Sequence, residues 1–188
     1  VARFSRPTGP YPWSMKLNVF VAPHANSGQD ADSSYVGPSF TQGPHHYSCN
    51  QHVGQRHIGS EDCLVLSVYS HEVPSFHRFP HAPVMSYIHG SLFVAGDLWA
   101  HEAFYGGTVA VRSEVVVVCL QYRLGVFGFL ALEELREEAR STGNYGMIDQ
   151  RAALTLVNND GYHFGGNPAR LIVWGGWADG AVSACYHA

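Results

Sequence analysis

The sequence predicts an α/β protein with a mostly parallel, twisted sheet flanked by helices. Short apolar runs with strand character recur along the chain, and segments with helical spacing lie between the later ones. Residues 114–122 contain a continuous β-branched run, four valines at 115–118, which is typical of a strand covered on both faces. Strands that alternate with helices favour parallel pairing, because each helix carries the chain back across the sheet.

Four segments have the composition of strands. Residues 63–69 (CLVLSVY) alternate in polarity, and residues 83–89 (PVMSYIH) end at a glycine. The run at residues 114–122 is expected at the centre of the sheet. Residues 170–174 (RLIVW) form the last strand, which leads directly into Gly175.

Two segments are predicted to be helices, at residues 131–140 and 145–159. The first carries a solvated charged face. In the second, five apolar residues are expected to turn toward one side of the helix: Met147, Ile148, Ala152, Leu154 and Val157. Residues 1–60 are rich in Pro, Gly, Ser, His and Asn and have no sustained period, so we expect mostly irregular coil there. Together these elements fit a single domain, residues 1–188.

Composition and charge exclude several classes of protein. The 188 residues are 46% hydrophobic and only 14% charged, a balance that favours a folded core over disorder. The net charge of −4 gives no basic field that would attract nucleic acid. The longest apolar stretch, residues 115–120, is far shorter than the ~20 residues of a membrane-spanning helix.

The last predicted strand ends in the setting of a nucleophile elbow, G-x-S-x-G. In such an elbow, a sharp turn from strand to helix lifts one side chain above the sheet into a cleft. In this chain the turn contains no serine. It consists of Gly175, Gly176, Trp177, Ala178 and Asp179.

Four further motifs occur in a fixed order along the chain. Residues 60–64 read SEDCL, residues 121–130 QYRLGVFGFL, residues 143–150 GNYGMIDQ and residues 164–168 FGGNP. The chain therefore resembles the type-B carboxylesterases, the cholinesterase and neuroligin family of α/β-hydrolases. The resemblance extends over nearly the whole chain. It implies a partial α/β-hydrolase fold, the amino-terminal portion of the family's domain, with the catalytic acid and histidine lying beyond residue 188.

The resemblance also implies a degenerate active site. The family's elbow reads GESAG, which aligns its nucleophilic serine with Trp177, its acid with Gly176 and its closing glycine with Asp179. An indole cannot form an acyl intermediate. The family's oxyanion motif, HGGGF, appears here as His89, Gly90, Ser91, Leu92 and Phe93. Side chains at two of these positions are expected to intrude where bare backbone approaches the oxyanion.

Four other residues have side chains that could replace the missing nucleophile or base. Asp179 could act as a carboxylate nucleophile, although it lies two positions past the apex. Ser183 is expected to be an ordinary serine of the following helix. His163 and His187 have no partner that sequence spacing can assign.

Four cysteines permit three pairings if all are oxidised. The resemblance implies a disulfide between Cys49 and Cys63, with Cys119 and Cys185 as free thiols. It also implies an ion pair between Arg3 and Glu61 that anchors the amino-terminal coil. A zinc site is the alternative for one group of residues, although we favour no metal: His45, His46, Cys49, His52 and His57.

Two hypotheses of different class follow for the function. In the first, the chain is a non-catalytic carboxylesterase-like module that acts in assembly or recognition, as a structural subunit or partner-binding piece. In the second, it is a fragment of an active carboxylic ester hydrolase. Neither requires a cofactor, and the glycine pairs match no nucleotide-binding fingerprint.

An incomplete sheet has an unpaired edge, so the expected partner is another protein chain or the missing remainder of the hydrolase domain. A disulfide and the family resemblance favour the secretory pathway, in the lumen or outside the cell.

Overall fold

The computed structural model describes residues 16–21, 48–70, 82–98, 106–139 and 142–188. A short 3₁₀ turn, Gly161–Phe164, follows the longest helix. In chain order the strands are β1 (Lys16–Val21), β2 (Gln51–Val53), β3 (Arg56–Ile58), β4 (Val65–Ser70), β5 (Ala82–Ile88), β6 (Val116–Leu120) and β7 (Gly166–Gly175). The helices are α1 (Gly106–Ser113), α2 (Gly125–Phe129), α3 (Glu133–Ala139), α4 (Tyr145–Asp160) and α5 (Trp177–His187).

The main sheet has five strands in the order β1-β4-β6-β5-β7. β1 pairs with β4 in parallel, β4 with β6 antiparallel, and β5 in parallel with both β6 and β7. The predicted α/β class with a mostly parallel sheet is therefore confirmed. β2 and β3 form a separate antiparallel hairpin.

β6 lies at the centre of this sheet, as its β-branched sequence predicts, and all of its residues are buried. Its side chains alternate between two hydrophobic clusters on opposite faces of the sheet. Val116, Val118 and Leu120 belong to the larger cluster, which also includes buried residues of α4. Val117 and Cys119 belong to the smaller cluster, together with Ala110 of α1. The core is therefore built around one strand that is covered on both sides.

Residues 1–60 are expected to be mostly irregular coil, and the parts of this range that the structure describes, 16–21 and 48–60, contain three strands. β1 pairs with β4 along its whole length, and β2 and β3 form a hairpin. Strands of three residues carry no detectable period, so only the hydrogen bonds to a neighbouring strand define them. Helices α1 and α2 were likewise not predicted.

The buried face of α4 also differs from the prediction. Of the five apolar residues expected on one side of the helix, only Val157 is fully buried. The buried residues Tyr145, Asp149, Ala153 and Val157 follow one another at four-residue spacing. The Asp149 carboxylate can be buried on this face because it forms an ion pair with Arg123. The spacing of apolar residues in the sequence does not reveal such a pair.

No helix in the described part of the chain combines the length and the hydropathy that a bilayer crossing requires.

Candidate functional site

The turn between β7 and α5 has the geometry of a nucleophile elbow. β7 ends at Gly175, α5 begins at Trp177, and the Trp177 backbone has a φ of 59°. This left-handed conformation is unusual for a bulky residue. A Cβ atom at Gly175 would lie 2.0 Å from the carbonyl oxygen of Gly180, so only glycine allows the helix to fold back so closely. The Trp177 residue at the apex is 70% exposed.

A second loop, residues 89–93, lies beside this elbow. Ser91, Leu92 and Phe93 all have positive φ values, of 141°, 59° and 59°. Ser91 and Leu92 are exposed, Leu92 by 78%. A Cβ atom at Gly90 would lie 2.3 Å from the carbonyl oxygen of Gly176, so the two segments are in direct contact.

The Asp179 carboxylate joins the loop to the elbow. The Ser91 N–H donates to both of its oxygens, at 3.0 Å and 2.8 Å, and the Phe93 N–H donates to Oδ2 at 3.0 Å. Burial by itself would raise the pKa of Asp179. Hydrogen bonds from the backbone N–H groups of Phe93, Ser91 and Leu92 outweigh this effect, so the pKa lies below its usual range. Asp179 is therefore an ionised carboxylate at neutral pH. The group that meets the loop's N–H donors is this carboxylate, which the sequence placed at the elbow's closing glycine and offered as a nucleophile.

His89, the first residue of this loop, is fully buried. Its ring stacks on the ring of Tyr122 with centroids 4.4 Å apart, and the Tyr122 hydroxyl donates to the His89 carbonyl oxygen at 2.8 Å. Neither ring nitrogen makes a hydrogen bond to a described residue. Burial lowers the pKa of His89 to about 4, which leaves the imidazole neutral at neutral pH.

The structure brings Ser183 and His187 together through Gln150, a residue that the sequence analysis did not single out. Gln150 Nε2 donates to Ser183 Oγ at 3.2 Å, and Gln150 Oε1 lies 3.0 Å from His187 Nε2. Ser183 is completely buried inside the fold, which fits the ordinary helical serine expected from the sequence. His163 is exposed and packs against Tyr162, with ring centroids 3.9 Å apart.

The cysteines are arranged as the resemblance implies. Cys49 and Cys63 form a disulfide, whereas Cys119 and Cys185 are free. The Cys49 sulfur is therefore not a thiolate that could bind zinc. His52 and His57 face each other across the hairpin with ring centroids 5.3 Å apart, and His45 and His46 lie outside the described residues. Within the described ranges, no group of three metal-binding side chains is positioned to hold an ion.

The expected anchor between Arg3 and Glu61 is not described, since Arg3 lies outside the described residues. Glu61 itself is exposed.

A mixed sheet whose edge strand ends in a tight elbow, with a left-handed apex and a helix behind it, defines an α/β-hydrolase. The sequence model of the Carboxylesterase family matches residues 1–188. The chain belongs to that family, as its motifs predict.

Individual relatives agree with this assignment. Pyrethroid hydrolase Ces2e of Rattus norvegicus is 43% identical over 130 residues, covering 68% of this chain and 21% of that protein. Acetylcholinesterase of Electrophorus electricus is 36% identical over 185 residues, covering 98% of this chain and 26% of that protein.

Solved structures show the same fold. A PNB esterase matches with a TM-score of 0.61 and 39% identity, over 72% of this chain and 27% of its own. EstA of Aspergillus niger matches with a TM-score of 0.62 and 29% identity, over 76% of this chain and 27% of its own. The chain thus spans about a quarter of the length of the relatives that it matches.

Proposed function

We propose that this chain is a non-catalytic carboxylesterase-like module that acts in assembly or recognition. One observation carries the proposal: the apex of the elbow is Trp177, with the left-handed backbone of a nucleophile position and no nucleophilic atom. An indole ring cannot attack an ester carbonyl and hold an acyl group. The elbow keeps the family's shape without its chemistry.

The neighbouring loop supports the same conclusion. Its Ser91 N–H group would be a donor to an oxyanion if it were free, but it already donates to both oxygens of Asp179. Loss of one such donor raises the barrier to acyl transfer by ~3 kcal/mol. The charged Asp179 carboxylate would also repel a developing oxyanion at this position.

The surface for assembly that we propose is the outer edge of β7 together with the exposed side of α5. β7 lies at an edge of the sheet among the described strands, so one row of its backbone groups has no neighbouring strand there. Val182 and Tyr186 of α5 are 60% and 70% exposed and lie one helical turn apart. We propose that a polypeptide segment binds this surface and adds a strand beside β7. The solved relatives support this occupant, because the match covers only 27% of each of their chains.

Ester hydrolysis tests the non-catalytic half of the proposal. The purified chain should hydrolyse short-chain nitrophenyl and thiocholine esters no faster than a heat-denatured sample. An organophosphate should leave no covalent adduct that mass spectrometry can locate. Turnover that survives purification and disappears with the organophosphate would contradict the proposal.

A fragment of an active carboxylic ester hydrolase is the second candidate. The relatives named hydrolases and esterases, at 36% to 43% identity, favour it. Under this alternative, the organophosphate adduct should appear on a serine of this chain, and Ser183→Ala identifies whether that serine is the one on α5.

A further inference from the structure

Residues 91–93 surround one carboxylate with backbone donors. The Ser91 N–H donates to both oxygens of Asp179, and the Phe93 N–H donates to Oδ2. All three residues have positive φ, so their N–H groups converge on one side of the chain. Successive backbone N–H groups arranged in this way form a concave anion-binding site, a nest. We refer to residues 91–93 as the nest.

The carboxylate fits closely into the nest. Asp179 is only 6% exposed, although Trp177 two residues earlier is 70% exposed. A Cβ atom at Gly90 would lie 2.7 Å from Asp179 Oδ1, so the glycine leaves the space that the carboxylate fills. Asp179 also lies in the first turn of α5, where the helix dipole favours a negative charge.

We propose that the nest is a binding site for a single small carboxylate and that the chain supplies its own ligand, Asp179. A tethered carboxylate is held next to the donors at high effective concentration, so it excludes a free anion of the same chemistry. The site therefore accepts an external monocarboxylate, such as acetate, only when the Asp179 carboxylate is removed. This inference concerns anion binding alone and holds for either function proposed above.

Acetate binding to three forms of the full chain tests the proposal. In Asp179→Ala, added acetate at neutral pH should shift the amide nitrogen resonances of Ser91 and Phe93 in NMR spectra, and the shift should saturate. In the unsubstituted chain the same acetate series should give a response roughly tenfold smaller, because the tethered ligand competes. Asp179→Asn is the matched control, since it keeps the side-chain volume and an acceptor oxygen, and it should also resist acetate.

Equal responses in the alanine variant and the unsubstituted chain would overturn the proposal, and so would equal responses in the alanine and asparagine variants. A folded alanine variant whose two amides ignore acetate would overturn it as well. A second measurement does not depend on any variant. In the unsubstituted chain, the Ser91 and Phe93 amides should follow one protonation with a midpoint below the ~3.9 of a free aspartate. If these amides do not titrate, Asp179 is not the ligand of the nest.

Discussion

Arg123 and Asp149 form a buried ion pair inside the fold. Arg123 Nε and Nη2 donate to the two oxygens of Asp149, each at 2.7 Å, and the Arg123 N–H donates to Oδ2 at 3.1 Å. The two side chains are only 8% and 0% exposed. The guanidinium also lies 5.4 Å from the centre of the Tyr145 ring. A charge this deeply buried depends on its partner.

Asp149→Asn should therefore destabilise the fold strongly. The substitution removes the Asp149 charge that pairs with the buried Arg123 guanidinium, and we expect the free energy of unfolding to fall by about 3–5 kcal/mol. Urea unfolding followed by circular dichroism measures the change. Glu133→Gln is the matched control, because it breaks an ion pair with Arg136 whose side chains are 60% and 61% exposed.

Glu133→Gln should lower the free energy of unfolding by no more than about 1 kcal/mol. Similar losses in the two variants would show that the Arg123–Asp149 pair contributes no more than a surface pair.

At the residue scale, the sequence predicted which residues belong to motifs better than it predicted which residues contact each other. Arg123 and Asp149 belong to two of the recognised motifs, yet no pattern indicated that they pair across 26 residues. Asp179 and Ser91 are 88 residues apart, and their hydrogen bonds could not be predicted for the same reason. The second contact depends on how β5 and β7 pair, and the first depends on how α4 packs beside β6. Local sequence does not encode either arrangement.

The hairpin of β2 and β3 is closed at its base by the disulfide. Cys49 and Cys63 are separated by 14 residues, and the hairpin lies between them. Beside the disulfide, the Ser60 N–H donates to the Ser48 carbonyl oxygen at 2.9 Å. The bridge therefore holds both ends of a short element that packs few apolar side chains of its own.

Removal of this bridge should loosen the whole element. We expect the double variant Cys49→Ala/Cys63→Ala to lose roughly 3 kcal/mol of unfolding free energy, because a closed loop of this size restricts the unfolded chain. Cys185→Ser is the control, since that thiol is free and exposed, and it should unfold like the parent chain. The measurement is urea unfolding without reductant. An unchanged midpoint in the double variant would argue against a stabilising bridge.

Elements were predictable in proportion to their length and their apolar pattern. The runs that became β4, β5 and β6 were located to within about two residues, which is the usual precision for such boundaries. The hairpin strands of three residues and the short helix α2 were missed. Such short elements are stable only through their neighbours, because isolated turns and two-stranded ribbons are marginal in water.

The arrangement of the whole sheet places β7 at an edge of the described strands. The Ile172 side chain on β7 is 53% exposed, although its neighbours Leu171 and Val173 pack against the core. β7 carries one charge, Arg170, two residues before Ile172. An exposed apolar residue on an edge strand favours pairing with another strand. We therefore expect two chains to pair through this edge when no other strand covers it.

The purified chain should therefore associate with itself as its concentration rises, which sedimentation velocity measures. Ile172→Lys should weaken this association, because a lysine on an edge strand opposes pairing. Val53→Lys is the matched control, since Val53 is equally exposed, at 52%, but lies on the hairpin. A chain that stays monomeric at every concentration would argue against association through the β7 edge. So would a Val53→Lys variant that associates as weakly as Ile172→Lys.

The sequence by itself determined the α/β class, the central strand, the position of the elbow and the membership of the carboxylesterase family. These properties depend on local composition and on contiguous motifs, so they can be read without knowing which segments meet. Only the tertiary structure decided the order of the strands, the pairing of Arg123 with Asp149 and the position of the Asp179 carboxylate in the nest. Each of these joins groups distant in the chain, and their contact arises from the packing of the sheet.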